Sequence, residues 1–107
     1  MIFRGTATAL ITPFTEDDKV DVQAIRNIVD MQIANGINAL VALGTTGEPA
    51  TLSEEEKEQI VRVCVEQTSG KIPLIVGAGS NSTRKAVETC RMAQKLGADA
   101  LLVVTPY

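Results

Sequence analysis

Four continuous apolar runs divide the chain: Ala7-Thr8-Ala9-Leu10-Ile11, Ala39-Leu40-Val41-Ala42-Leu43, Pro73-Leu74-Ile75-Val76 and Ala100-Leu101-Leu102-Val103-Val104. None alternates with period two, so each reads as a strand of a parallel sheet covered on both faces. Between the runs, apolar residues recur at helical spacing. Asp21 is placed to cap a first helix, with Val20 and Ile25 as a hydrophobic staple and Val22, Ile25, Ile28, Val29 and Ile33 as one stripe that Asn35-Gly36 ends. Ser53 and Glu56 form a capping box for a second helix, whose buried face carries Ile60, Val61, Cys64 and Val65 and which ends at Ser69-Gly70. Glu54, Glu55 and Glu56 suit the positive end of its dipole. A third helix is predicted from about Asn81 or Ser82, burying Ala86, Val87, Cys90 and Ala93 and stopping at Leu96-Gly97. The predicted order is β-α-β-α-β-α-β.

Right-handed crossovers between such elements build a curved parallel sheet, either open and doubly wound or part of a closed barrel. No Gly-x-Gly-x-x-Gly follows the first strand, which counts against a dinucleotide fold. Instead a polar or turn-forming cluster closes every strand: Thr12-Pro13-Phe14, Gly44-Thr45-Thr46-Gly47-Glu48, Gly77-Ala78-Gly79-Ser80-Asn81-Ser82-Thr83 and Thr105-Pro106-Tyr107. The carboxyl ends of parallel strands share one face, where ligand sites are built, and a cluster at each end favours the barrel. A complete (β/α)8 barrel takes roughly 250 residues. Residues 1–107 therefore read as about half of one, a single partial α/β barrel domain without an internal boundary. The sequence stops at the end of the fourth strand, and the expectation is a truncated barrel whose open edges and apolar interior invite association.

Composition narrows the function classes. Hydrophobic residues make up 45% and charged residues 21%, and a net charge of -3 offers no basic surface for nucleic acid. No apolar run reaches the length of a membrane span and no signal-peptide core opens the chain, so a cytoplasmic protein with no membrane partner is expected. Histidine is absent, which removes Ser-His-Asp and Cys-His catalysis and the commonest metal ligand. Cys64 and Cys90 fall on apolar helix faces without Cys-x-x-Cys spacing and read as core residues; no metal site is predicted.

The candidate chemistry concentrates in Gly44-Thr45-Thr46-Gly47-Glu48. Two glycines free the backbone to present N–H groups to a small anion, and two threonine hydroxyls can donate to a carboxylate while relaying protons. Taken alone, the same run also reads as an ordinary structural turn.

With Ile72-Pro73-Leu74-Ile75-Val76-Gly77-Ala78-Gly79-Ser80-Asn81-Ser82-Thr83, Val104-Thr105-Pro106-Tyr107, and Arg4-Gly5 ahead of Ala9-Leu10-Ile11-Thr12-Pro13-Phe14, that run closely resembles the opening part of the dihydrodipicolinate synthase family. The likeness covers the entire chain. It implies the N-terminal half of a (β/α)8 barrel, in a homotetramer assembled as a dimer of dimers. The implied enzyme is a class I aldolase-type lyase with no metal or organic cofactor. In that family a lysine from a later strand forms a Schiff base with pyruvate, whose enamine attacks aspartate semialdehyde on the way to diaminopimelate and lysine. Thr45 matches the family's proton-relay threonine, and Thr46 matches the residue that holds the pyruvate carboxylate. The alternatives within reach of these residues are another pyruvate aldolase, for N-acetylneuraminate or keto-sugar acids, and a non-catalytic half-barrel that self-associates.

Further matches concern regulation. Tyr107 corresponds to the interface tyrosine of the pocket where lysine inhibits feedback-regulated members, Asn81 to another residue of that pocket and Ala50 to a backbone contact. Asn81 reads equally as a helix cap. Sensitive members often carry a glutamate where this chain has Lys85, and Glu54 and Lys57 replace histidines, so inhibition by lysine is not expected. None of Lys19, Lys57, Lys71, Lys85 and Lys95 suits a Schiff base: Lys19 stands among acidic residues, Lys71 precedes the third strand, and the other three are expected on exposed helix surface. The 107 residues alone are expected to be inactive.

Overall fold

A computed structural model of the chain describes residues 1–107. Four strands, β1 (Ala7–Ala9), β2 (Ala39–Ala42), β3 (Leu74–Gly77) and β4 (Ala100–Leu102), alternate with three helices, α1 (Val22–Ala34), α2 (Glu54–Thr68) and α3 (Thr83–Leu96). The strands lie side by side in chain order and all pair in parallel, as in the N-terminal half of a (β/α)8 barrel. β1, β2 and β4 are shorter than their apolar runs, and β3 is shifted one residue along its own. Pro73 has no N–H to give to the ladder, so β3 begins one residue later, although the Pro73 carbonyl still accepts from Leu40 N at 3.1 Å. Single bonds from Leu10 N to Val41 O (2.9 Å) and from Ala78 N to Leu102 O (3.0 Å) carry the ladder just past the strand ends.

Register separates the two faces of the sheet. Thr8, Leu40 and Leu74 form one row, and Ala42, Val76 and Leu101 another on the same face. That face meets the helices: Leu40, Leu74, Val76, Val29, Val61 and Cys64 are fully buried there, and Thr8 Oγ1 donates to Gln32 Oε1 of α1 at 2.9 Å. The intervening row Ala9, Val41, Ile75 and Ala100 faces the other way, the inner side in a barrel, and is not fully buried. Burial thus alternates along β3 even though its sequence does not.

The helix signals are used as their chemistry dictates. Asp21 Oδ1 accepts from Ala24 N at 3.0 Å, and Val20 and Ile25 both enter the core. Ser53 Oγ accepts from Glu56 N (3.1 Å) while Glu56 Oε1 accepts from Ser53 N (2.9 Å), completing the capping box. Ser82, not Asn81, caps α3.

The third helix departs from expectation. Its buried residues are Thr89 and Ala93, Ala86 and Cys90 are half-buried, and Val87 is 41% exposed. Thr89 can face inward because its hydroxyl donates to Lys85 O within the same helix (3.0 Å), and Val87, two residues earlier, is turned roughly 200° away. On α2, Val63 and Thr68 join Ile60, Val61 and Cys64 as buried residues, while Val65, expected on that face, is half-buried.

Candidate active site at the strand ends

Beyond β2 the backbone takes an unusual course. Leu43 adopts left-handed φ +58°, Gly44 leads into a 3₁₀ turn over Thr45–Gly47, and Glu48 is again left-handed at φ +56°. The turn is closed by Gly47 N donating to Gly44 O (2.8 Å) and Glu48 N to Thr45 O (3.0 Å). Gly44 itself sits at φ -70°, open to any residue, so the expectation that the two glycines supply backbone freedom is corrected. Positive φ falls instead on a leucine and a glutamate, at a cost of about 1–2 kcal/mol each.

The end of β3 and the segment just beyond β1 hold the turn in this shape. From the β3 side, Gly77 lies so close that a Cβ there would stand 2.1 Å from Leu43 O and 2.9 Å from Gly44 N. From the β1 side, Thr12, 6% exposed, donates its hydroxyl to Gly47 O at 2.7 Å, and a Cβ on Gly47 would meet Thr12 Oγ1 at 3.3 Å and Leu10 O at 3.4 Å. Thr12 belonged to a polar strand-end cluster in the sequence, but nothing local marked it as a brace. Only the adjacency of β1 and β2 brings it to Gly47, 35 residues away.

Thr45 and Thr46 are exposed on the turn, at the carboxyl end of β2, and no hydrogen bond within the chain uses either hydroxyl. Such hydroxyls can donate and accept together, which suits proton transfer and carboxylate binding.

The other predicted site residues gather elsewhere. Ala50, Asn81 and Tyr107 line one cleft of about 370 Å³ together with Glu54, Lys57 and Lys85, while Leu43 and Gly77 form its border with the turn. Neither Thr45 nor Thr46 lines it. Asn81 Oδ1 accepts from Tyr107 N at 3.2 Å, and the Tyr107 side chain is largely exposed. Lys57 is not the exposed surface residue expected: its side chain is 19% exposed, with Nζ on Glu54 Oε1 at 3.1 Å. Lys19, Lys71, Lys85 and Lys95 are exposed.

Cys64 is buried within the core of α2, and desolvation pushes its thiol from 9.0 up to about 12. No three histidine, cysteine, aspartate or glutamate side chains converge as metal ligands would. No helix is long and apolar enough to cross a membrane.

Comparison with known proteins gives a consistent result. A model of the dihydrodipicolinate synthetase family matches residues 2–107. The 4-hydroxy-tetrahydrodipicolinate synthase of Bartonella quintana is 53% identical over 106 residues, which is 99% of this chain and 36% of that protein. A crystal structure of the chloride-inhibited dihydrodipicolinate synthase of Acinetobacter baumannii, complexed with pyruvate, superposes with a TM-score of 0.96 at 44% identity, over 100% of this chain and 36% of that one. The dihydrodipicolinate synthase of Thermotoga maritima gives 0.95 at 48% identity, with the same coverage. The chain spans a little over one third of the length of the relatives it matches.

Proposed function

The chain belongs to the dihydrodipicolinate synthetase family, and we propose that it forms the N-terminal part of a pyruvate-dependent Schiff-base lyase of lysine and diaminopimelate biosynthesis. The reaction condenses pyruvate with L-aspartate 4-semialdehyde to 4-hydroxy-tetrahydrodipicolinate. The observation that carries this reading is the pair of free hydroxyls on Thr45 and Thr46, presented on a braced turn at the carboxyl face of the sheet.

Schiff-base formation adds a lysine amine to the pyruvate ketone and then expels water, so protons must reach the carbinolamine oxygen and leave the nitrogen. Thr45 is the relay: its hydroxyl gives a proton on one side as it takes one on the other, and it ends unchanged. Thr46 and backbone N–H groups hold the pyruvate carboxylate. Neutral donors suit this task because they orient the anion without a competing ion pair. The nucleophile comes from outside these residues. A Schiff-base lysine must be desolvated for its amine to be neutral, whereas four of the five lysines here are exposed and Lys57 is paired with Glu54. The same reading takes the full-length protein to be a cytoplasmic homotetramer, a dimer of dimers, working without metal or organic cofactor.

The test is made in the full-length barrel carrying these residues. Thr45→Val should lower turnover by about 10²-fold, within the usual range for an acid–base group. Thr46→Val should chiefly raise the pyruvate KM. Normal kinetics in both variants would reduce the two threonines to turn residues. Borohydride trapping of the 107-residue chain with pyruvate should give no reduced adduct; a stoichiometric adduct on any of its five lysines would overturn the assignment of the nucleophile to another segment.

A further inference from the structure

We propose that Thr12 is a positioning residue, which fixes the Thr45–Gly47 turn through its hydroxyl and thereby sets where the Thr45 and Thr46 hydroxyls stand. The inference rests on the reading of those two threonines as site residues, and goes beyond it by adding a residue from the segment that follows a different strand.

The turn does not hold its shape on local preference alone. It is bounded by two non-glycine residues in left-handed backbone, Leu43 and Glu48, and only two backbone hydrogen bonds close it. A turn of that kind relaxes unless its surroundings over-determine it. On the β1 side the only side-chain hydrogen bond to it is Thr12 Oγ1 to Gly47 O, at 2.7 Å and buried. The acceptor is the last carbonyl of the 3₁₀ turn, so the bond grips the end of the segment that carries both free hydroxyls.

The fit is also steric. Gly47 is itself buried, and a Cβ there would stand 3.3 Å from Thr12 Oγ1, tighter than most such contacts, and in ordinary contact with Leu10 O at 3.4 Å, so an added methyl would shift the Thr12 hydroxyl by a few tenths of an ångström. Thr12 reaches Gly47 from the segment just beyond β1, and its role is to hold the turn, without touching the reacting atoms.

The experiment compares Thr12→Val, Thr12→Ser and Gly47→Ala in the full-length synthase, alone and combined with Thr45→Val. Valine keeps the volume and loses the donor. It should lower kcat/KM for pyruvate about tenfold, a factor typical of one lost buried hydrogen bond, while Thr12→Ser, which keeps the donor, restores most of it. Gly47→Ala, which disturbs the same contact from the other partner, should lower kcat/KM in the same direction.

Because Thr12 acts through the turn, Thr12→Val added to Thr45→Val should cost much less than its effect alone. If Thr45→Val is harmless, the reading of the site fails. If Thr45→Val is harmful but Thr12→Val and Gly47→Ala are kinetically normal, or if the double variant shows full additivity, the positioning role of Thr12 fails. Should the valine variant not fold, a normal kcat/KM in Gly47→Ala overturns the proposal, and loss of activity with rescue by serine at position 12 supports it.

Discussion

Gly77→Ala is the sharpest perturbation of the site that leaves every functional group in place. The added Cβ would lie 2.1 Å from Leu43 O, 2.6 Å from Leu43 C and 2.9 Å from Gly44 N. All three are backbone atoms, so no side chain can swing aside, and ordinary contact requires the Leu43-Gly44 segment to retreat by about 1 Å. Leu43 resists because it is 3% exposed within the core. Overpacking against a fixed neighbour costs about 1–3 kcal/mol, and the stiffer unfolded chain returns only about 0.4–1 kcal/mol. A net loss of about 2 kcal/mol is expected, which at m of about 1–2 kcal/mol/M moves the urea midpoint down by about 1–2 M.

Gly44→Ala is the control, since it sits at φ -70° with its nearest contact a Val41 methyl at 3.3 Å, and its loss should stay below about 1 kcal/mol. Both variants are followed by far-UV circular dichroism in urea. Equal losses, or a larger one for Gly44→Ala, would refute the view that the glycine on β3 makes room for the turn after β2.

Two further outcomes are expected. The neutral thiol of Cys64 is favoured in the fold, so the folded protein keeps that proton up to about pH 12 while the unfolded chain loses it above pH 9.0; this contribution is fully present below pH 9.0 and falls as pH rises towards 12. At about pH 10.5 the loss amounts to about 2 kcal/mol, which unfolding curves of the protein should show relative to Cys64→Ala; parallel pH dependence in the two would refute it. Lysine added to the full-length enzyme should leave its rate unchanged, because Lys57 and Lys85 both line the cleft formed by Ala50, Asn81 and Tyr107, and Lys85→Glu should introduce sensitivity; inhibition of the unaltered enzyme by millimolar lysine would count against it.

Most of the architecture was legible in the sequence because its signals are local. Asp21, Ser53 and Ser82 stand where the backbone needs acceptors, and the two central apolar runs become strands packed under the helices, whereas the fourth run, expected to be covered on both faces, is exposed from Leu101 to Val104. The misreadings arose where a residue's surroundings come from afar. Val87 fits a helical stripe, yet the inward side of α3 is set by its packing on α2, and Thr89 takes that side with its hydroxyl satisfied internally. Lys57 is typed as surface by its charge, but it folds into the cleft between the starts of α2 and α3 and pairs with Glu54. Uniformly apolar β3 hides an alternation of burial that only the register with its neighbours reveals.

The turn after β2 is the instructive case, because the backbone freedom its glycines suggest is not used there. Gly44 and Gly47 have ordinary φ, and the left-handed positions fall on Leu43 and Glu48, whose side chains give no warning of it. Two such residues cost about 2–4 kcal/mol together. Burial of Leu43 returns about 2 kcal/mol and the bond from Thr12 to Gly47 about 1 kcal/mol, so the strain is met almost entirely by partners outside the turn. The partners sit just beyond β1 and at the end of β3, which flank β2 because the sheet runs in chain order. The geometry of the turn thus depends on the three strands lying side by side. The side chains of Thr45 and Thr46 contribute no hydrogen bond to that framework; only the Thr45 carbonyl does, accepting from Glu48 N. Their hydroxyls are therefore available for chemistry without weakening the fold, whereas Thr12 and Gly77, through the Thr12–Gly47 bond and the close approach of Gly77 to Leu43, hold the framework that carries them.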